Sequence, residues 1–146
     1  MEHSLQDIID NFGFFDDWEE RYAYLIDLGK GFAPLSHEDK IDEYLVRGCT
    51  SRVWLIIDWV ADDAGVMHMY LRADSDAHIV RGLVSLVLVA YNGLTAAQAL
   101  SVDMNAAFHE MGLEAHLSPS RRNGFFSMVE RIRTAAAQQS SLDSSR

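Results

Sequence analysis

One short stretch of this chain crowds reactive side chains together, Arg47-Gly-Cys-Thr-Ser-Arg52. A cysteine reacts as its thiolate, and this segment offers groups that stabilise one. They are the N–H groups around Cys49, the hydroxyls of Thr50 and Ser51, and the cations Arg47 and Arg52. Gly48 lets the backbone turn sharply or lets a large partner approach. Cys49 is the single cysteine in 146 residues. That count excludes an intramolecular disulfide and a CxxC redox pair, and no Cys/His spacing suggests a zinc site. The residues alone leave two readings open: an inert thiol filling the core, and a reactive thiol presented on a loop.

Other combinations are weaker. A hydrolytic thiol needs a histidine base and an orienting group, and the sequence places none of His37, His68, His78, His109 or His116 against Cys49. Met67-His68-Met69 suggests copper, yet in a strand His68 points opposite to both methionines. Asp74, Asp76 and His78 suggest a metal site, but Asp74 or Ser75 reads better as the cap of the helix that follows. No metal and no resident cofactor are therefore expected.

The elements that must position Cys49 follow from periodicity and punctuation. A short amphipathic opening carries Leu5, Ile8, Ile9 and Phe12 inward. Asp16 and Asp17 begin a helix to about Lys30, which Gly29 and Gly31 end. A polar loop with one helical turn runs to about Tyr44, and Leu45 and Val46 start an extended segment that Gly48 breaks. Val53 to Val60 and Val66 to Leu71 read as the strands of a hairpin around the turn residues Asp62-Asp-Ala-Gly65. The helix from about Ala77 to Tyr91 is apolar nearly all round and belongs at the centre of the fold. Gly82 inside it costs about 1 kcal/mol relative to Ala and implies close approach of another element.

Thr95-Ala-Ala-Gln98 has the capping-box pattern, and Asp103 caps a further helix that Gly112 closes. Ser118-Pro119 opens a last helix to about Ala137. The expected fold class is α+β, a small antiparallel sheet packed against several α-helices. Residues 1–137 are expected to form a single domain, and residues 138–146 a disordered tail.

The balance of 12 basic and 22 acidic residues, a formal charge of −10, disfavours nucleic acid and anionic lipid as partners. Acid concentrates at the front: residues 1–45 hold three basic and twelve acidic side chains, whereas residues 117–146 hold five and two. The N-terminus lacks the apolar run of a secretory signal, and Leu83 to Tyr91 is too short to span a bilayer. A cytoplasmic protein is expected, with no membrane contact and no nucleic acid bound.

Four segments taken together resemble one known family. Gly48-Cys-Thr-Ser-Arg-Val-Trp54 resembles the GCxSxVW cysteine loop of the SufE family, and Asp74-Ser-Asp-Ala-His-Ile-Val-Arg-Gly82 is similar to its DSDAxIVKG segment. His116-Leu-Ser-Pro-Ser-Arg-Arg-Asn-Gly124 is similar to its HLTPSRxxG segment, and Trp18-Glu-Glu-Arg-Tyr22 with Leu25-Ile-Asp-Leu-Gly29 to its early helix. The resemblance runs from about Phe12 to Ala137 in unbroken order. Thr50, where the family often has Gln, and Arg81, where Lys is common, are small departures that leave the thiol untouched.

The resemblance implies a sulfur acceptor and carrier, not a free-standing enzyme. A pyridoxal-phosphate-dependent cysteine desulfurase of the SufS or CsdA type would pass persulfide sulfur to Cys49 and be stimulated in doing so. A SufBCD-type scaffold for iron–sulfur cluster assembly would receive the sulfur. Gly48, Thr50, Ser51 and Arg52 would support the loop and its thiolate, while Asp76 and Arg121 would support the loop or face the partner. The alternative is a thiol-independent module that activates a desulfurase allosterically. Monomer and homodimer both stay open.

Overall fold

A computed structural model describes residues 4–46 and 51–144. Helix boundaries sit where side chains satisfy the N–H groups that a helix start leaves without partners. Ser4 and Asp7 form a reciprocal capping box at α1, Leu5–Phe14, and Asp17 accepts from the Glu20 N–H at 2.8 Å to open α2, Trp18–Gly29. Thr95 and Gln98 repeat the capping box at α4, Ala96–Leu100. Asp103 caps α5, Met104–Glu110, and Ser118 accepts from the Arg121 N–H at α6, Pro119–Ser144.

The sheet is a single antiparallel pair, β1 (Val53–Ala61) and β2 (Met67–Ser75), in register from Val53 opposite Ser75 to Ala61 opposite Met67. Asp62 shapes the turn by accepting the N–H groups of Ala64 and Val66, and Gly65 takes a φ of 82° that suits glycine. Alternation sends Val53, Leu55, Met69, Leu71 and Ala73 into the main core. On the other face Trp54 and Ile56 are covered by Leu35, Tyr44 and Leu45, while Val60 and Tyr70 stay exposed.

Helix α3, His78–Tyr91, is buried on almost every side, as its composition predicts, and packs on α2, β2 and α6. Its crossing with α2 is too close for side chains at two points. A Cβ on Gly82 would lie 2.7 Å from the Leu25 carbonyl carbon, and one on Gly29 would lie 2.8 Å from the Gly82 nitrogen. The stop at Asn92-Gly93 holds, with Gly93 at φ 84°. Three 3-10 turns, at His37–Asp39, Asp42–Tyr44 and Leu113–Ala115, complete the elements among the described residues. The loop before Leu45 therefore holds two such turns where the sequence suggests one.

Two expectations change. The segment from residue 138, expected to be a disordered tail, is helical through Ser144. Its inward stripe of Phe125, Met128, Val129, Ile132 and Ala136 continues to Gln139, so helical spacing persists after the apolar residues run out. Gln139 Nε2 also donates to Asp143 Oδ1 at 3.0 Å. In addition, β2 continues through Ser75 instead of ending near Leu71, so Asp74 lies in a strand opposite Trp54. No helix among the described residues is long and apolar enough to cross a membrane.

The α2–α3 crossing yields a direct test. Gly82→Ala should lower the free energy of unfolding in denaturant by about 1–3 kcal/mol, because the new methyl meets backbone that cannot yield without separating the helices. Exposed Gly13, which has open space around its Cβ position, is the control at which Ala should not destabilise.

The hairpin tip carries a pH-dependent contact. His68 Nδ1 lies 2.8 Å from the Gly93 carbonyl oxygen and Nε2 lies 2.8 Å from Asp62 Oδ2. Both neighbours are acceptors, so only the imidazolium can donate to both. The Gly93 carbonyl first, then Asp62, raises the His68 pKa above its ordinary 6.5. The same hydrogen bond, with the Val66 N–H, lowers Asp62 below its ordinary 3.8. The contribution from His68 is fully present below about pH 6.5 and is lost as pH rises through the raised pKa; that from Asp62 fades as pH falls through its lowered one. The stability difference between wild type and His68→Gln should therefore be largest near pH 5–6 and shrink above neutrality. A difference independent of pH would contradict this pairing.

Candidate functional site

Arg47, Gly48, Cys49 and Thr50 lie outside the described residues. The two feet of the loop that contains them are described, and each is tied to the core. At the first foot the Val46 N–H donates to the Val53 carbonyl at 2.7 Å, and Leu45 bridges to Trp54 in antiparallel fashion. Arg131, from α6, donates Nη1 to the Leu45 carbonyl at 3.2 Å. At the second foot the Arg52 N–H donates to Asp76 Oδ1 at 3.0 Å, and the Asp76 N–H donates back to the Arg52 carbonyl at 3.2 Å. Val46 and Val53 are buried, so the chain leaves the core and re-enters it at neighbouring points.

Beneath these feet lies a buried ionic cluster. Asp74 is 1% exposed and sits beside Trp54 across the hairpin. Its carboxylate accepts the N–H groups of Leu35 at 3.0 Å and Ser75 at 2.8 Å, a hydrogen bond from Arg81 Nη1, and a 3.5 Å ion pair from Lys40. Arg81 spends its other donors on the carbonyls of Gly29 and Phe32, and its guanidinium lies 4.3 Å over the Phe32 ring. Burial lowers the Arg81 pKa, the ordinary sign for a cation withdrawn from water. The Lys40 ammonium stands 5.4 Å over the ring of Trp54, which follows Val53 immediately after the second foot. One carboxylate thus joins the loop's base, the end of α2 and the start of α3.

The residues expected to serve the site fall into three groups. Gly48, Cys49 and Thr50 lie outside the described residues, as stated. Ser51 is half-buried, and Arg52 is exposed but holds the foot through its backbone. Asp76 is exposed and clamps Arg52, a structural task that its motif position did not reveal. Arg121 is exposed on the first turn of α6, and roughly 15 Å of helix separates it from Arg131 at the loop's first foot.

The reading of Asp74 or Ser75 as the helix cap is corrected. The N-cap is Ala77, without a side-chain hydrogen bond, and Ser75 Oγ accepts the Ala77 N–H at 3.3 Å just before it. Asp74 points instead to Arg81, because β2 runs on far enough to bury it. Asp74, Arg81, Lys40 and Arg131 are the residues that sequence reasoning missed as parts of the site's foundation. Strand alternation would have placed Asp74 on the face of exposed Tyr70 and Arg72, so its burial, which comes with partners at Leu35, Lys40 and Arg81, left no local signal in the sequence. No group of three or more His, Cys, Asp or Glu side chains suited to a metal gathers among the described residues.

Residues 6–136 match the sequence model of SufE, described as an Fe-S metabolism associated domain. The chain belongs to the SufE family. It is 47% identical over 133 residues to an uncharacterized SufE-like protein of Rhizobium etli, covering 91% of this chain and 89% of that one. It is 41% identical over 133 residues to a second uncharacterized SufE-like protein, from Rhizobium meliloti, covering 91% and 94%. The solution structure of a hypothetical protein from Thermus thermophilus superposes with a TM-score of 0.69 at 18% identity, covering 94% of this chain and 96% of that one. That likeness shows a shared α+β fold. SufE membership associates the chain with sulfur transfer in company with cysteine desulfurases.

The two aspartates beside the loop should separate in a stability measurement. Asp76→Ala removes one acceptor at an exposed foot and should lower stability by about 1 kcal/mol while speeding deuterium exchange at the Arg52 amide. Asp74→Ala strands a largely buried guanidinium and should lower stability by about 3–5 kcal/mol. Equal effects of the two would refute the division between clamp and foundation.

Proposed function

We propose that this SufE-family protein is a sulfur acceptor and carrier: Cys49 takes persulfide sulfur from a cysteine desulfurase, stimulates that enzyme's turnover, and passes the sulfur on for iron–sulfur cluster assembly. The observation that carries the reading is the position of the chain's single cysteine inside the SufE-like segment Gly48–Trp54, in a chain that matches the family over residues 6–136. A cytoplasmic setting, where the thiol stays reduced, accords with the absence of other cysteines.

The chemistry is thiol exchange. The Cys49 thiolate attacks the terminal sulfur of the donor's persulfide, a new S–S bond forms as the donor's own S–S bond breaks, and the donor leaves as a thiolate. No net oxidation occurs and no acid–base triad is needed. Exchange demands a thiolate and a reachable loop, and the feet at Val46 and Arg52 are tied to the core. Gly48 is the natural hinge. Arg47 and Arg52 supply positive charge around the sulfur, Thr50 and Ser51 supply hydroxyl donors, and Asp76 holds Arg52 where the chain re-enters the fold. Arg121 stands on the surface as a partner contact. The downstream acceptor repeats the same exchange with the Cys49 persulfide as donor.

Incubation with the cognate desulfurase and free cysteine, followed by intact-mass measurement without reductant, should add about 32 Da per sulfur to wild type. Cys49→Ser should fold normally by circular dichroism, gain no mass and fail to stimulate turnover. Full stimulation by Cys49→Ser would instead establish a thiol-independent allosteric activator.

A further inference from the structure

The two edges of the sheet are treated differently. On the outer edge of β2, the Met69 N–H donates to the Leu94 carbonyl, the Gly93 N–H donates to the Met69 carbonyl, and the Leu71 N–H donates to Asn92 Oδ1. The chain after α3 thus covers that edge. On the outer edge of β1 the Val53 carbonyl receives the Val46 N–H, and Leu45 bridges Trp54. Backbone groups of alternate residues in an antiparallel strand face the same side, so those of Leu55, Ile57 and Trp59 also face away from β2. Among the described residues, no strand continues beside Ile57 and Trp59, because the chain before Leu45 turns away into the 3-10 turn Asp42–Tyr44.

An open strand edge is a template for pairing, and folded proteins ordinarily cover or blunt it. Here it opens onto a groove of about 780 Å³ between β1 and α6, with Ile57, Leu45 and Val46 on one wall and Thr134, Ala135 and Gln138 among those on the other. The charged groups lining it are Asp42, Glu43, Glu130 and Arg131. Three carboxylates against one guanidinium give the rim an excess of acid, and Arg131 is held at the Leu45 carbonyl. Leu45 and Val46 are at once the groove's wall and the first foot of the Cys49 loop.

We propose that the β1 edge at Ile57 and Trp59 is a docking site for an extended, Lys/Arg-bearing segment of the desulfurase, which adds as a strand beside β1 while its cations meet Asp42, Glu43 and Glu130. This rests on the sulfur-acceptor reading and adds to it the part of the surface the partner grips. Backbone hydrogen bonds supply affinity in such strand addition, and flanking charge selects the segment. Because the groove shares Leu45 and Val46 with the loop, an occupant bears directly on the foot from which the thiol segment departs.

The test is deuterium exchange on the full chain, alone and with the cognate desulfurase, with intact-mass measurement of sulfur on Cys49 in parallel. The Ile57 and Trp59 amides should exchange quickly in the free protein and become protected at least tenfold in the complex. Glu43→Lys with Glu130→Lys, folded by circular dichroism, should weaken desulfurase binding about tenfold at low salt and by less at high salt. Sulfur on wild-type Cys49 without protection at these two amides overturns the docking site and leaves the sulfur-acceptor reading standing. Protection at these amides with no sulfur on wild type overturns the sulfur-acceptor reading and leaves the docking site standing, and absence of both overturns both. Protection that grows with the protein's own concentration, without desulfurase, overturns the proposal in favour of a second copy of this chain on the edge.

Discussion

The contact on which the rest of this structure leans is the buried carboxylate of Asp74 against Arg81. An isolated charge at 1% exposure would be severely penalised, so Asp74 persists there only because Arg81, Lys40 and two backbone N–H groups meet it together. Those partners come from three stretches of chain, of which one is β2 itself through the Ser75 N–H. Leu35 and Lys40 lie in the irregular connection after α2, Arg81 near the start of α3, and Asp74 itself near the end of β2. Arg81 then reaches the carbonyls of Gly29 and Phe32 and holds the chain as it leaves α2. A connection with few buried apolar residues of its own acquires a defined path from one ionic cluster.

The second constraint is steric and cooperates with the first. Gly29 and Gly82 let α2 and α3 cross at backbone contact, which brings the Gly29 carbonyl within reach of Arg81 one residue before Gly82. A bulkier pair would separate the helices and pull the carbonyl from the guanidinium. Close packing and charge pairing are therefore coupled here, and the effects of altering both should not simply add. The result is a stiff base under a short loop. The residues around Cys49 depart from Val46 and return at Arg52, and both points are fastened to elements that the cluster and the crossing immobilise.

Local signals carried much of the fold. The caps at Asp17, Thr95, Asp103 and Ser118, the stop at Gly93 and the all-round apolar α3 were legible because each depends on a few neighbouring side chains and the orphan groups of a helix end. What was not legible depended on partners distant in sequence. Asp74 looks like a cap beside a helix start, and only its pairing with Trp54 and the approach of Arg81 reveal it as a buried anchor. The helix past Ala137 was obscured for a different reason. Gln139 continues an inward stripe that polarity alone would assign to solvent. In the site, physics marked Cys49 and its glycine but left the thiol's role open, and the motifs in register resemble the SufE family, on which the proposed role of the thiol rests. Asp76 as the clamp on Arg52 needed the fold, since 24 residues separate the two.

The charge of the chain takes on a spatial meaning once the feet of the loop are fixed. Acid dominates its first 45 residues, and Asp42 and Glu43 bring part of that charge to the 3-10 turn just before Leu45. The loop itself carries Arg47 and Arg52. Negative charge therefore precedes the first foot and positive charge follows it, within a few residues of chain. A thiolate is stabilised by positive and opposed by negative charge, and Asp42 and Glu43 line the groove beside β1. Along the chain the Leu45–Trp54 bridge stands between the two signs, and on the proposed reading the basic segment favours the Cys49 thiolate while the acidic groove attracts the partner's cations.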